Sequence, residues 1–176
     1  TIWVNVSERQ LHSRELLDTV SRAVKASGLG AGALGIELSE AVLMRNGSDE
    51  AAAAVRALHE LGVRVAIDDF GLGLSSLRRL RRFPVDSIKI DRMLVVGVPQ
   101  SSEDAAIVSA IIAMAHGLGV AVSAEGVESD EQLAFLRRCA CDSAQGHFFS
   151  PAVPARDAQE LLAGGGAWRG RWSREP

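Results

Sequence analysis

The sequence predicts an α/β fold: a parallel sheet wound as a (β/α) barrel, here incomplete, with six of the eight strands such a barrel needs. Three observations predict it. Short apolar runs alternate with amphipathic helical stretches, glycines lie where three of those helices should stop, and a polar side chain stands at or just past the C-terminal end of every run. The first run is Ile2–Val6, followed by Leu16, Leu17, Val20 and Val24 at helical spacing, which Gly28 ends. Leu34–Leu38 comes next, then the stripe Val55, Leu58 and Leu61 with Gly62 beyond it. Val63–Ile67 and Ser87–Ile90 are the third and fourth runs. Ile107, Ile111, Met114 and Leu118 form another helical stripe, with Gly117 as its stop, and Val120–Ser123 follows. Leu133 and Leu136 mark a further helix before the last run, Ala144–Phe148. The runs are short and mostly apolar or β-branched, as buried parallel strands are.

Asn5, Glu37, Asp68 with Asp69, Lys89, Glu125 and Gln145 are the strand-end residues, separated by 32, 31, 21, 36 and 20 residues, about one βα unit each. In a (β/α) barrel the strand C-termini converge on one face, and catalytic groups come from several strands there. One polar residue at a strand end is ordinary capping; six in succession predict a shared cavity. A complete barrel runs to about 250 residues and eight strands. The chain therefore reads as a barrel lacking its first two strands.

Composition excludes several classes. Of 176 residues, 47% are hydrophobic and 23% charged, which suits a globular core and not a disordered tail or a coiled coil. Lys+Arg is 19 against Asp+Glu 22, a net charge of −3, so no DNA-binding surface is expected. No apolar run reaches the roughly 18–20 residues of a membrane segment, and TIWVNVSERQ is not a secretory signal. Cys139 and Cys141, spaced C-x-C, fit neither a disulfide framework nor a zinc pair; buried thiols in a reducing cytoplasmic setting are expected. Nearly every cation is Arg, with Lys25 and Lys89 the two exceptions. Lys89 stands between Ile88 and Ile90 in SIKID. A surface residue on an edge strand is the ordinary alternative; a compact ammonium aimed at a phosphate or a metal-bound oxygen is the sharper one.

The motifs carry a specific resemblance. VNVSERQL at 4–11, GIELSE at 35–40, VAIDDFGLGLSSL at 65–77, DSIKIDRMLV at 86–95, AEGVES at 124–129 and DSAQGHFFSPAVP at 142–154 resemble the successive blocks of the EAL domain. That family comprises bacterial phosphodiesterases that hydrolyse cyclic di-GMP to linear pGpG. The likeness runs from about Ile2 to Leu162, the C-terminal two-thirds or so of such a domain. It implies a TIM-like barrel entered at its third strand, with residues 1–163 as the EAL-like unit and the Gly/Arg/Trp stretch 164–176 as a mobile tail. The Glu-Ala-Leu signature belongs on the second strand, and no residue here is assignable to its metal-binding glutamate; LSEAVL at 38–43 is not that signature.

The resemblance also implies a two-metal site for Mg²⁺ or Mn²⁺, hard ions that take oxygen ligands. Asn5 and Glu37 would help bind one ion, Asp68 would bridge both, and Asp69 and Glu125 would serve the second. Lys89, with Asp68 and Glu125, would be catalytic, its ammonium meeting the attacking water or the developing phosphorane charge. Gln145 would line the substrate pocket. Glu40 and Glu128 would anchor the loop Phe70–Ser76, where Leu72 and Leu74 replace the family's Thr and Tyr. In the family this loop couples dimerisation to metal binding, so those replacements bear on that coupling.

Two functions follow. One is a cytoplasmic cyclic di-GMP phosphodiesterase domain in bacterial second-messenger signalling, accompanied by further signalling domains and able to form a homodimer. The other is a degenerate, inactive EAL domain acting as a cyclic di-GMP receptor or protein-interaction module. A glycoside hydrolase with paired carboxylates fits less well, because aromatic residues are 5% and Tyr is absent. Arg78, Arg79, Arg81 and Arg82 are expected on a solvated helix face, and His147 in packing.

Overall fold

A computed structural model of the chain describes residues 1–30, 32–44, 48–73 and 80–163. Leu74, Ser75, Arg78, Arg79 and the stretch 164–176, with Trp168 and Trp172, lie outside the described residues. Six strands form one sheet in sequence order, every neighbouring pair parallel: β1 (Ile2–Asn5), β2 (Leu34–Ser39), β3 (Arg64–Phe70), β4 (Ser87–Ile90), β5 (Ala121–Ala124) and β6 (Ser143–Ala144). This is an incomplete (β/α) barrel. Between the strands run α1 (Glu8–Leu11), α2 (Arg14–Ser27), α3 (Glu40–Met44), α4 (Ser48–Glu60), α5 (Arg92–Val95), α6 (Ser102–Gly117) and α7 (Asp130–Arg138); α8 (Ala155–Ala163) follows β6. Among the described residues no helix is long and apolar enough to cross a membrane.

Local chemistry sets the helix ends. Capping boxes open α1, with Ser7 and Gln10, and α7, with Ser129 and Gln132. Ser13, Asp91 and Ser101 cap α2, α5 and α6 through their side-chain oxygens. Gly28 and Gly62 take left-handed backbone just past α2 and α4, as expected. Gly117 does not: it is the last residue of α6, and the left-handed position falls on Gly119. The expected buried stripe of α6 also shifts. Ile107 and Leu118 are exposed, while Val108, Ile111, Ile112 and Ala115 are buried. This helix is apolar on most sides, so periodicity could not choose its inner face.

Register divides the sheet into two faces. Ile36, Leu38, Val65, Ile67, Ile88, Ile90, Val122 and Ala124 project to one side, where they join Val55, Leu58, Ile112 and Leu136 of the helices in the main core. The opposite, inner face carries small or polar groups: Asn5 opposite Glu37, Ser39 opposite Asp68, and Lys89 opposite Ser123. The Trp3 ring also packs there; a Cβ on Gly35 would stand 2.2 Å from it. The outward side chains of β1, Ile2 and Val4, are exposed.

Two strand ends differ from expectation. β3 runs on through Asp68 and Asp69 to Phe70, with a register irregularity between Ile67 and Phe70. β6 is two residues long. Past it, the N–H of Val127 donates to Gln145, that of Phe148 to Val127, and that of Phe149 to Gly146, so the backbone turns back on the loop after β5 instead of extending to Phe148. His147 in this turn is exposed, not packed.

Candidate active site

Lys89 occupies the centre of the strand C-terminal face. β4 lies between β3 and β5, not at an edge, and the residue is only 7% exposed. Its Nζ lies 2.8 Å from Glu37 Oε1 and 3.4 Å from Asp68 Oδ1, and it donates to Glu125 Oε1. Four strands thus contribute to one cluster. Burial works against the lysine charge, but the bonds to Glu125 and Glu37 outweigh it and raise the ammonium pKa above the ordinary lysine value. Lys89 is therefore cationic across the neutral range.

The carboxylates around it are not equivalent. Burial pushes the Glu125 carboxyl up, and Lys89 offsets only part of that push. Asp69 is also raised, first by burial, then by the charge of Asp68 and a hydrogen bond with Asp91. Asp68 Oδ1 is buried and accepts no hydrogen bond; Lys89 is within ion-pair distance but outside hydrogen-bonding geometry. An oxygen left open in this way is expensive as structure and useful as a ligand.

Backbone geometry presents the adjacent acids. Asp69 has φ 54°, the left-handed region that Asp tolerates better than most side chains. The turn breaks the strict strand alternation that would send Asp68 and Asp69 to opposite faces. Asn5 is exposed at the end of β1, level with Glu37. Gln145 is exposed just past β6, its N–H donating to Ala124 O at 2.8 Å. Glu37, Asp68, Lys89 and Glu125 are thus in direct contact, with Asn5, Asp69 and Gln145 at the same strand ends.

The two expected loop anchors part ways. Glu40 is buried; its Oε2 accepts from Gly71 N at 3.1 Å, and a Cβ on Gly73 would come 2.8 Å from its Oε1. Glu128 is exposed, and its N–H donates to Gln132. Sequence reasoning passed over Asp91, which is buried and within reach of Asp69. The signal was present in SIKID: an acid directly after a strand and opening a short helix.

Among the described residues no three acidic, histidine or cysteine side chains stand at the spacing that would hold a metal ion; the Lys89 ammonium takes the space between the carboxylates. The donor set is nonetheless all oxygen, and Asp68 Oδ1 offers lone pairs that no protein donor uses. That chemistry fits a hard divalent cation.

Residues 1–152 match the EAL domain. The chain belongs to the EAL domain family. It is 44% identical over 161 residues to the cyclic di-GMP phosphodiesterase NbdA of Pseudomonas aeruginosa, covering 92% of this chain and 20% of that protein. It is 35% identical over 154 residues to the cyclic di-GMP phosphodiesterase PdeR of Escherichia coli, covering 88% of this chain and 23% of the relative. This EAL chain spans about a fifth of the length of the curated relatives it matches. Among solved structures, it resembles the PaMucR phosphodiesterase in complex with c-di-GMP, with TM-score 0.85 and 39% identity over 90% of this chain and 64% of that one. The EAL domain of Mycobacterium smegmatis DcpA gives TM-score 0.88 and 37% identity, over 94% of this chain and 74% of that one. These neighbours place the six strands in the EAL barrel.

Proposed function

We propose that this EAL domain belongs to a cyclic di-GMP phosphodiesterase that hydrolyses its substrate to linear pGpG. The observation that supports it most is the buried Lys89 gathering Glu37, Asp68 and Glu125 from three other strand ends. In the reaction, water adds across one phosphodiester: its oxygen joins phosphorus, the P–O bond to the ribose oxygen breaks, and that oxygen leaves with a proton. Lys89 keeps its proton on Nζ and donates hydrogen bonds to the charge that develops on the phosphorus oxygens. Glu125 accepts from Lys89 Nζ and so orients that donor toward the reacting groups. Gln145, opposite Glu125 at the next strand end, contacts the substrate. Asn5, Glu37, Asp68, Asp69 and Glu125 would hold Mg²⁺ or Mn²⁺. When bound, the ions supply Lewis-acid activation of water and of the phosphodiester. Glu40 fixes the loop over this face through Gly71.

The neighbouring assignments are proposals of the same kind: a cytoplasmic setting, further signalling domains in the same polypeptide, and a homodimer formed over the exposed outer side of β1. A receptor without turnover is the second reading, favoured by one observation. Leu72, an exposed apolar residue, stands where the resemblance expects a Thr in the loop that Glu40 anchors. Assay of the full-length protein with cyclic di-GMP and Mn²⁺ decides between them. Appearance of pGpG supports the enzyme; saturable binding with no pGpG supports the receptor; neither result overturns both.

A further inference from the structure

We propose that the cleft between the end of α4 and the turn leading into β4 binds a phosphate group, held by Arg56 and Arg81. It lies at the N-terminal end of the strands, opposite the face that carries the Lys89 cluster, and goes beyond the phosphodiesterase reading. The cleft has a volume of about 410 Å³. That is roomy enough for a small anion with part of its hydration shell, since a water claims roughly 30 Å³ of the liquid. The last residues of α4 contribute Arg56, His59 and Glu60 to its lining, and the turn before β4 contributes Arg81 and Arg82. Phe83, which is buried, and the half-buried Pro84 complete it. Arg81 and Arg82 are exposed, but on a turn and not on the helix face that the sequence led us to expect.

The acids near the cleft are already engaged. Asp49 pairs with Arg82. Asp86 Oδ2 accepts from Val65 N at 2.8 Å and stands 3.8 Å from His59 Nδ1. Among the described residues Arg56 and Arg81 form neither an ion pair nor a side-chain hydrogen bond, although Asp+Glu outnumber Lys+Arg by 22 to 19 in the chain. Compensation of the α4 dipole accounts for a cation at Arg56, but not for others converging on the same cleft from a separate segment. Like charges lining one cleft repel, and a bound anion relieves that repulsion. Guanidinium is the cation suited to the task, because its planar fork matches phosphate oxygens two at a time. Glu60 is the acid among the lining residues, and its charge opposes an anion there.

Calorimetric titration of the full-length protein with inorganic pyrophosphate, in metal-free buffer, tests the site. Arg56→Ala and Arg81→Ala are each expected to weaken binding about tenfold, the loss of charge-assisted hydrogen bonds. Melting temperatures should stay near the parent, because both side chains are exposed. Arg56→Lys and Arg81→Lys keep the charge and lose the fork, so each should recover only part of the affinity. Glu60→Gln removes the opposing charge and should tighten binding. Titration with adenosine diphosphate distinguishes the source of the phosphate. Pyrophosphate binding at least as tightly assigns the site to an inorganic anion, and tighter binding of adenosine diphosphate assigns it to a nucleotide. Absence of binding to the parent, parental affinity in the alanine variants, or full affinity in the lysine variants overturns the proposal.

Discussion

The two ends of the half-barrel use the same residue types to opposite effect. At the N-terminal ends of the strands, Asp86 Oδ2 accepts from Val65 N at 2.8 Å, with His59 Nδ1 3.8 Å away at the end of α4. Two strands further on, Asp142 Oδ2 accepts from Val122 N and meets His116 Nε2, both at 2.8 Å, with His116 at the end of α6. Each aspartate there closes one strand onto its neighbour by satisfying a backbone donor. At the C-terminal ends, Glu37, Asp68 and Glu125 crowd a single buried ammonium, and Asp68 keeps an oxygen unbonded. Satisfied acids hold the sheet together, and acids left short of donors make the site. The division matches the general separation of stability and catalysis between the two faces of such barrels.

The largest effect that would break this comparison is on turnover. In the full-length protein, Asp68→Asn is expected to bring pGpG formation below detection while folding is kept, since one neutral amide replaces the central unsatisfied carboxylate. Near-parental turnover at saturating Mn²⁺ would remove Asp68 from the site. Lys89→Met should do damage of two kinds. Turnover should fall about 10²–10³-fold for loss of the donor, and stability by about 3 kcal/mol, because Glu37 and Glu125 lose their shared cation in a buried setting. Kinetics and chemical denaturation check both.

The opposite end should respond with stability alone. Asp142→Ala leaves the Val122 N–H without its acceptor and is expected to cost about 1–3 kcal/mol, with the kcat of the folded protein unchanged. A fall in kcat would show that the two ends are coupled.

Acidification sharpens the contrast further. Glu125 has a folded pKa above its unfolded value, so its ionisation costs stability at neutral pH, and that cost is relieved as pH falls through the raised value. Lys89 acts in the other sense: its contribution is full below the ordinary lysine pKa and is lost as pH rises through its higher folded value. Glu125→Gln should therefore differ most from the parent in melting temperature near neutral pH, and the gap should close toward about pH 4, near the ordinary carboxylate range. A gap that widens on acidification would reverse the assignment.

Much of this arrangement was legible in the residues. Five of the six strands register in β-branched or apolar runs, because parallel strands buried on the helix side need Ile36, Val65, Ile88 and Val122 there. The polar strand ends were legible for the same reason: a period of one βα unit is a long-range pattern that survives without coordinates. What escaped depends on neighbours distant in sequence. The inner face of α6 is chosen by the sheet and not by its own nearly uniform apolar pattern. β6 ends early because Val127, eighteen residues before Gln145, takes its backbone partners. Asp91 reads locally as a helix cap, and only the fold shows that it also faces Asp69. The His–Asp pairs were invisible because helix ends and strand starts meet only once the units stack.

The smallest effect uses Cys141 as a reporter of the stabilising end. It lies at the start of β6, with Sγ donating to Val122 O at 3.5 Å and Ser143 O at 3.2 Å. Burial pushes its thiol pKa up to about 12, although nearby backbone hydrogen bonds pull the other way. Since the thiolate is the reactive form, alkylation of Cys141 at about pH 8 must wait for local opening of this end. Cys139, partly exposed, should react first. Asp142→Ala removes the tie between Val122 and the chain beside Cys141, so alkylation of Cys141 by iodoacetamide should quicken under native conditions. Lys89→Met disturbs the far end of the same strands and should quicken it much less. Mass spectrometry of the two sites over time gives both rates. Equal acceleration in the two variants would mean that the sheet opens as one unit and that the ends are not separately stabilised. Acceleration confined to Asp142→Ala would place the Asp142 clasp in its own local opening unit, independent of the acids around Lys89.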